Sequence, residues 1–394
     1  MSKNLTHALA AVAAGAALSA FGVSGAHAPG AAADGRPSAT VPTSGASDPV
    51  SVPGTQLWVQ HYGDVAGDAA GLAVSPTAGT VFVTGQNAVP GAWDYGTVAY
   101  DPATGAQLWA QNFNAGGRYD YASSVAVSPT GATVFVTGQS ALGTSSPYNF
   151  DYTTVAYAAA TGAQLWVSRY NGPGNGYDRA ASVAVSPSGS TVFVTGTSKG
   201  KTSGPDYATV AYSAAAGARK WVSRYNGPGN GTDRAVSIGV SPSGGRVFVT
   251  GRSTGAKTGA DYATIAYSAR TGVRKWVKRY DGSSFNGCVS NDYASGVAVS
   301  PTGSTVYVTG SIECPTEAGG HQGPVLYNTI GYTAATGAQL WSARYASPWD
   351  GEPGDRLDFA RSVAVSPAGG EVYVTGFGIQ GDGSTQYSTV AYSG

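Results

Sequence analysis

Six copies of one unit follow one another along this chain, and internal repetition of that kind restricts the fold more than any composition can. The clearest copy reads DRAASVAVSP from Asp178, STVFVTG from Ser190, DYATVAYSAAAG from Asp206, and then ARKWVSRY up to Tyr225. A Ser-Pro corner recurs at Pro76, Pro129, Pro187, Pro242, Pro301 and Pro367. A Val-Thr-Gly ending recurs at Gly85, Gly138, Gly196, Gly251, Gly310 and Gly376. A tyrosine recurs at Tyr100, Tyr157, Tyr212, Tyr267, Tyr332 and Tyr392, and a tryptophan at Trp58, Trp109, Trp166, Trp221, Trp276 and Trp341.

Each unit reads as four strands. The SVAVS and TVFVT runs are joined by Pro-x-Gly, a tight-turn signal. The TVAY and QLWVSRY runs are joined by a Thr-Gly corner. No helical period appears, so nothing supplies the crossover helix of a parallel α/β sheet. The first strand uses only small residues, which suits a crowded axis, and the fourth carries the tryptophan, which suits a wide rim. The expected fold is all-β: a six-bladed β-propeller of four-stranded antiparallel blades. The array starts with a fourth strand around Trp58 and ends with a third strand at Tyr392. The N-terminal strand is therefore expected to complete the last blade, closing the ring and removing both exposed edges.

The remaining segments are read from composition. Residues 1–28 resemble a signal peptide: Lys3, an apolar run from Ala8 to Val23, and the cleavage site Ala26-His27-Ala28. Residues 29–53 are an aperiodic Ala/Pro/Ser/Gly/Thr linker that is expected to be disordered, and 54–394 form the propeller. Export makes the protein secreted or extracellular. Lys plus Arg and Asp plus Glu are 22 each, and such neutrality argues against a nucleic-acid or anionic-membrane partner. Cys288 and Cys314 are the only cysteines, and in an exported protein they read as one disulfide pinning two loops of the fifth unit.

The stretch Ala99-YDPATGAQL-Trp109 resembles the tryptophan-docking repeat of pyrroloquinoline-quinone (PQQ) dehydrogenases, Ala-x-Asp-x-x-x-Gly-x-x-x-Trp. Ala156–Trp166 and Gly331–Trp341 match it without the Asp. The resemblance extends over every unit and implies a PQQ-like propeller repeat protein. It also implies a structural role for Trp58, Trp109, Trp166, Trp221, Trp276 and Trp341, each stacking on a neighbouring blade. The sequence departs from those dehydrogenases in its six units and in having no adjacent cysteines.

Candidate sites fall on the long loops entering first strands, which share one face with the loops between second and third strands; loops on a rigid scaffold are where function varies. An Asp precedes the Ser-Pro corner at Asp120, Asp178, Asp233, Asp292 and Asp358, with Asp68 shifted by one. Such a ring could hold a hard cation, cap the turn into the inner strand, or pair with Arg169, Arg224, Arg279 and Arg344. Asp94, Asp151, Asp206 and Asp261 open third strands, where Leu326 and Gln386 stand in the last two units, a pattern read as turn chemistry. Asp350, Glu352, Asp355 and Asp358 crowd the last long loop beside Trp349 and are the candidate calcium ligands. Two G-x-S-x-G matches, at Gly196 and Gly251, and a G-x-G-x-x-G match at Gly376 lack the following helix their chemistry needs. Only His61 and His321 lie beyond the linker as general bases.

The expected function is a secreted, non-catalytic binding module, a monomer that takes an extracellular protein or glycan on the loop-rich face. The alternatives are a PQQ- or calcium-dependent enzyme, such as a quinoprotein dehydrogenase, and a purely structural secreted repeat protein.

Overall fold

A computed structural model describes residues 54–63, 67–142, 149–282, 291–313, 324–347, 357–379 and 384–394. Cys288, Cys314, Asp350, Glu352 and Asp355, together with residues 1–53, lie outside the described residues. Among the described residues there is no α-helix, and no helix is long and apolar enough to cross a membrane.

The repeat becomes a series of antiparallel four-stranded meanders. The first unit is β1 (Gly67–Val74), β2 (Val81–Val89), β3 (Ala92–Tyr100) and β4 (Gln107–Phe113); the second is β5 (Asp120–Val127), β6 (Thr133–Leu142), β7 (Asn149–Ala158) and β8 (Gln164–Tyr170). The third is β9 (Asp178–Val185), β10 (Thr191–Lys199), β11 (Pro205–Ser213) and β12 (Arg219–Tyr225). The fourth is β13 (Asp233–Val240), β14 (Arg246–Thr254), β15 (Ala260–Ser268) and β16 (Arg274–Tyr280). The fifth is β17 (Asn291–Val299), β18 (Thr305–Glu313), β19 (Val325–Thr333) and β20 (Gln339–Tyr345). Three strands close the chain: β21 (Leu357–Val365), β22 (Glu371–Ile379) and β23 (Thr385–Ser393). A single parallel bridge between Val325 and Leu357 joins them to the fifth unit as one seven-stranded sheet. First strands of successive units lie side by side, as expected for an axial strand.

Local chemistry explains the repeated letters. The serine before the corner proline accepts a backbone N–H five residues on in five units, as Ser128 does from Thr133 and Ser241 from Arg246 at 3.1 and 3.0 Å, while Ser75 accepts from Ala78. The glycine of Val-Thr-Gly lies where the first strand bulges: β5 shifts register between Ala122 and Ser124, and a Cβ on Gly138 would strike the Tyr121 carbonyl oxygen.

Packing between units is carried by two aromatic side chains. Trp109, Trp166, Trp221 and Trp276 are buried and donate through Nε1 to Ala159, Ala214, Ala269 and Ala334 of the next unit, at 2.8 to 3.0 Å. The corner glycine beneath each indole is obligatory. Gly162 has φ +72°, and a Cβ there would lie 2.7 Å from Trp109 Cδ2. The second aromatic is the tyrosine that opens the third strand. Tyr95, Tyr152, Tyr207 and Tyr262 are fully buried and donate to the carbonyls of Thr153, Ala208, Ala263 and Asn328 across the next interface. Desolvation pushes each of these four phenols well above its ordinary range, so they stay neutral donors.

The expected pairing of the N-terminal strand with the last unit is not present. Residues 54–63 carry no strand, and β23 pairs with β22 alone. Trp58 and Tyr62 nevertheless lie on the first unit, where Trp58 Nε1 donates to Pro102 at 3.0 Å and Tyr62 donates to Asn112 at 2.8 Å. The physical reason is that indole docking and strand pairing use different surfaces: the corner of the following unit suffices for the indole, whereas the ladder needs β23 alongside. Tyr387 is left 95 % exposed at the position where the other units bury a tyrosine.

Candidate functional site: the acidic junctions and the loop-rich mouth

Five ring aspartates, Asp120, Asp178, Asp233, Asp292 and Asp358, are buried and held by backbone, whereas the shifted Asp68 is exposed and accepts from Gln86 Nε2. Asp178 accepts the N–H groups of Gly172 and Lys199 at 2.6 and 2.8 Å, and Asp233 those of Gly227 and Thr254 at 2.6 and 3.0 Å. Asp120 accepts from Ala115, Asp292 from Gly282, and Asp358 from both Ser347 N–H and its hydroxyl. Each Asp thus fastens the incoming loop to the end of its own sheet, which is the capping role. Pairing with fourth-strand arginines is corrected: Arg224 and Arg279 bind Asp206 and Asp261 of the third strands instead.

Those third-strand aspartates also go beyond turn chemistry. The turn contacts exist, since Ser203 and Thr258 hydroxyls donate to Asp206 and Asp261. The same carboxylates are buried, and Arg224 ties Asp206 to Ser198 and to Tyr170 of the preceding unit, as Arg279 ties Asp261 to Ser253 and Tyr225. Arg169 instead donates to the Ala115 carbonyl, at 2.7 Å. Burial, then the charge of Asp178, pushes the Asp151 carboxyl up to about 6. Burial also raises Asp120, Asp178 and Asp233.

At one junction the pattern gains a third acid. Asp281 stands where the earlier units have Asn114, Asn171 and Asn226, and carboxylate oxygens of Asp261, Asp281 and Asp292 come within 4.8 Å of one another. Three hard oxygen donors at that spacing suit a hard divalent cation, although Arg279 already holds one Asp261 oxygen. No sequence signal singled this triad out, because its members come from three segments of the fourth and fifth units. The sequence-derived calcium ligands remain with Asp358 alone among the described residues. The PQQ that the resemblance implies finds no matching vicinal cysteines, since the two cysteines are not adjacent.

The loop-facing strand ends carry aromatic rings in the second and third units and arginines stacked on rings in later units. Tyr119, Tyr121, Phe150 and Tyr177 form a connected ladder, with ring centroids at 6.1, 6.2 and 5.2 Å along the series. Tyr177, 48 % exposed, donates its hydroxyl to Gln139 Oε1 at 2.9 Å. In later units Arg252 lies 5.2 Å over the Tyr293 ring and Arg361 lies 5.0 Å over Phe377. The groove between residues 54–63 and the first unit, lined by Trp58, Tyr62, Leu72 and Val83, is of another kind: it is the uncovered face of a sheet.

The chain is similar to known structures. Hydrazine synthase of Kuenenia stuttgartiensis superposes with a TM-score of 0.54 at 14 % identity, over 83 % of this chain and 79 % of that one. The periplasmic gluconolactonase of Pseudomonas aeruginosa gives 0.49 at 15 % identity, over 82 % and 85 %. The quinohemoprotein alcohol dehydrogenase of Comamonas testosteroni gives 0.40 at 14 % identity, over 74 % and 51 %. At that identity the likeness to hydrazine synthase concerns the fold alone. No curated protein sequence matches the chain. A family model described as outer membrane protein assembly factor BamB matches residues 48–209 and again 151–379. The chain is therefore a β-propeller-type, PQQ-like repeat protein belonging to that family.

Proposed function

We propose that this chain is a secreted, non-catalytic binding module that holds an extracellular glycan or protein on its loop-rich face. The observation that carries this reading is the aromatic ladder Tyr119–Tyr121–Phe150–Tyr177. It interrupts the repeat: the position after the ring Asp is Tyr121, Arg179, Arg234, Tyr293 and Phe359 in successive units, whereas the Asp itself recurs. Residues that fold the units recur in them, and residues that meet a ligand are free to differ. Tyrosine offers a rigid, amphipathic contact surface at small entropic cost.

The scaffold belongs to the same proposal. It is a closed six-bladed ring and a monomer, with residues 54–63 as the fourth strand of the last blade. Tyr387 supports this, because its counterparts are buried and donate across the interface while it projects into solvent. Export through residues 1–28, a flexible 29–53 and a Cys288–Cys314 bridge complete the picture, the bridge holding two loops of the binding face.

The test is a pull-down from extracellular material with the folded domain and with a Tyr121→Ala/Tyr177→Ala variant. Retention by the parent and loss by the variant are expected. Equal retention by both, or none by either, overturns the reading. A second reading, a calcium-dependent module or enzyme, is favoured by the Asp261–Asp281–Asp292 triad. The last-loop set Asp350, Glu352, Asp355 and Asp358 is the other place for calcium in that reading.

A further inference from the structure

Three arginines lie close together at the loop-facing strand ends, and among the described residues none of them is closed into an ion pair. Arg179 and Arg234 each follow a ring aspartate, on β9 and β13. Arg252 on β14 stands directly opposite Arg234 in the strand register. Like charges directly opposite one another on one sheet face are unfavourable. Burial and the neighbouring charges of Arg252 and Arg179 hold the Arg234 guanidinium below its usual range. The ion pairs among the described residues use Arg224 and Arg279 and none of these three. Glu313 is the acid that faces Arg252, and burial pushes its own carboxyl up.

The surroundings say what kind of anion fits. Arg252 lies over Tyr293, and Tyr177, at the end of the aromatic ladder, is near enough to act on the charge of Arg234, so guanidinium groups and aromatic rings are neighbours here. Among the described residues, exposed large aliphatic side chains lie in or beside fourth strands (Leu108, Leu165, Val273, Leu340), beside Trp58 (Leu57, Val59), or on β1 (Leu72, Val74), and none belongs to this mouth. An apolar peptide anchor has nothing to enter there. A hydroxyl-rich ring bearing a carboxylate has both a planar fork to receive its charge and aromatic faces to receive its body.

We propose that Arg179, Arg234 and Arg252 bind the carboxylates of an acidic oligosaccharide of the uronate kind, whose sugar faces rest on Tyr121, Tyr177 and Tyr293. This rests on the reading of the loop-rich face as a binding surface and names the ligand class for it. The anion removes the repulsion between Arg234 and Arg252, so binding stabilises the fold by linkage.

The experiment uses the full chain, a galacturonate oligomer, the matching neutral galactose oligomer and poly-glutamate, read by titration and by melting temperature. The galacturonate oligomer is expected to bind, to weaken as salt rises, and to raise the melting point, while the neutral oligomer does neither. Arg234→Gln/Arg252→Gln is expected to lose about tenfold or more in affinity, roughly 1.4 kcal/mol, while melting no lower than the parent without ligand. Arg270→Gln, on a third-to-fourth corner at the opposite face, is expected to bind like the parent. Equal binding of the neutral oligomer, undiminished in the double variant, overturns the arginine site and leaves the binding module standing. Poly-glutamate binding as tightly as the galacturonate oligomer overturns the sugar class. Failure of the parent to bind the galacturonate oligomer overturns the proposal, and retention in the pull-down above then separates this failure from failure of the broader reading.

Discussion

Trp58 Nε1 donates to the Pro102 carbonyl at 3.0 Å, two residues beyond Tyr100, just as Trp109 donates to Ala159 two residues beyond Tyr157. The N-terminal segment therefore meets the first unit as the fourth strands of the first four units meet their successors. What it lacks is the partner on its other side, and the first prediction follows from that gap.

Tyr387→Ala separates an open arc from a closed ring. In the ring Tyr387 is as buried as Tyr152 or Tyr207, and its truncation is expected to cost about 3–5 kcal/mol, the range of a large buried aromatic. At 95 % exposure the same change stays within about 0.5 kcal/mol. Denaturant unfolding of Tyr387→Ala beside Tyr207→Ala measures this, and similar losses are the expected result.

The docked indoles require left-handed glycines beneath them. Gly162 and Gly91 share positive φ, at +72° and +76°, yet a Cβ meets Trp109 at Gly162 and nothing within 4 Å at Gly91. Gly91→Ala is expected to cost about 1 kcal/mol from backbone strain alone. Gly162→Ala should cost clearly more, since it also unseats the indole and its hydrogen bond. Thermal melts of the two variants make the comparison.

Asp151 gives stability a pH dependence of known sign. Its folded carboxyl titrates at about 6, raised by burial and by Asp178, against roughly 4 in an unfolded chain. A raised acid favours the folded state while it is protonated, so that contribution is present below about pH 4 and is lost as pH rises through about 6. Asp151→Asn is therefore expected to raise the melting temperature at pH 7 to 8 and to bring no gain near pH 4. A gain of the same size at every pH in that series counts against this account.

Calcium at the fourth junction has a simple readout. Millimolar calcium is expected to raise the melting temperature by a few degrees in the parent and not in Asp281→Asn, which restores the asparagine of the three preceding units. Equal response of the two proteins removes the triad from consideration.

Much of the fold was legible in the letters because it is local and repeated. Ser-Pro-x-Gly corners, the alternation of short β-rich runs and the rim tryptophan each reflect contacts within a unit or with the next one, and six copies average out ambiguity. The ring aspartates were legible as a pattern and their capping role as one of several readings. The arginine partners were not, because Arg224 reaches Asp206 across β11 and β12, and register decides that contact. The interface role of Tyr95, Tyr152, Tyr207 and Tyr262 has no local signature, since their acceptors lie more than fifty residues away.

By itself the sequence determined the unit: four strands, their order, the tight corners, and the residue types each position tolerates. These follow from backbone sterics and from burial on both faces of a thin sheet, and both are short-range. Only the tertiary structure decided what the units do to one another. It brought Asp261, Asp281 and Asp292 to one point, stood Arg252 opposite Arg234, and strung four aromatic rings across two units. Each of those depends on the angle and register between sheets, which side-chain packing sets over distances no local pattern can encode.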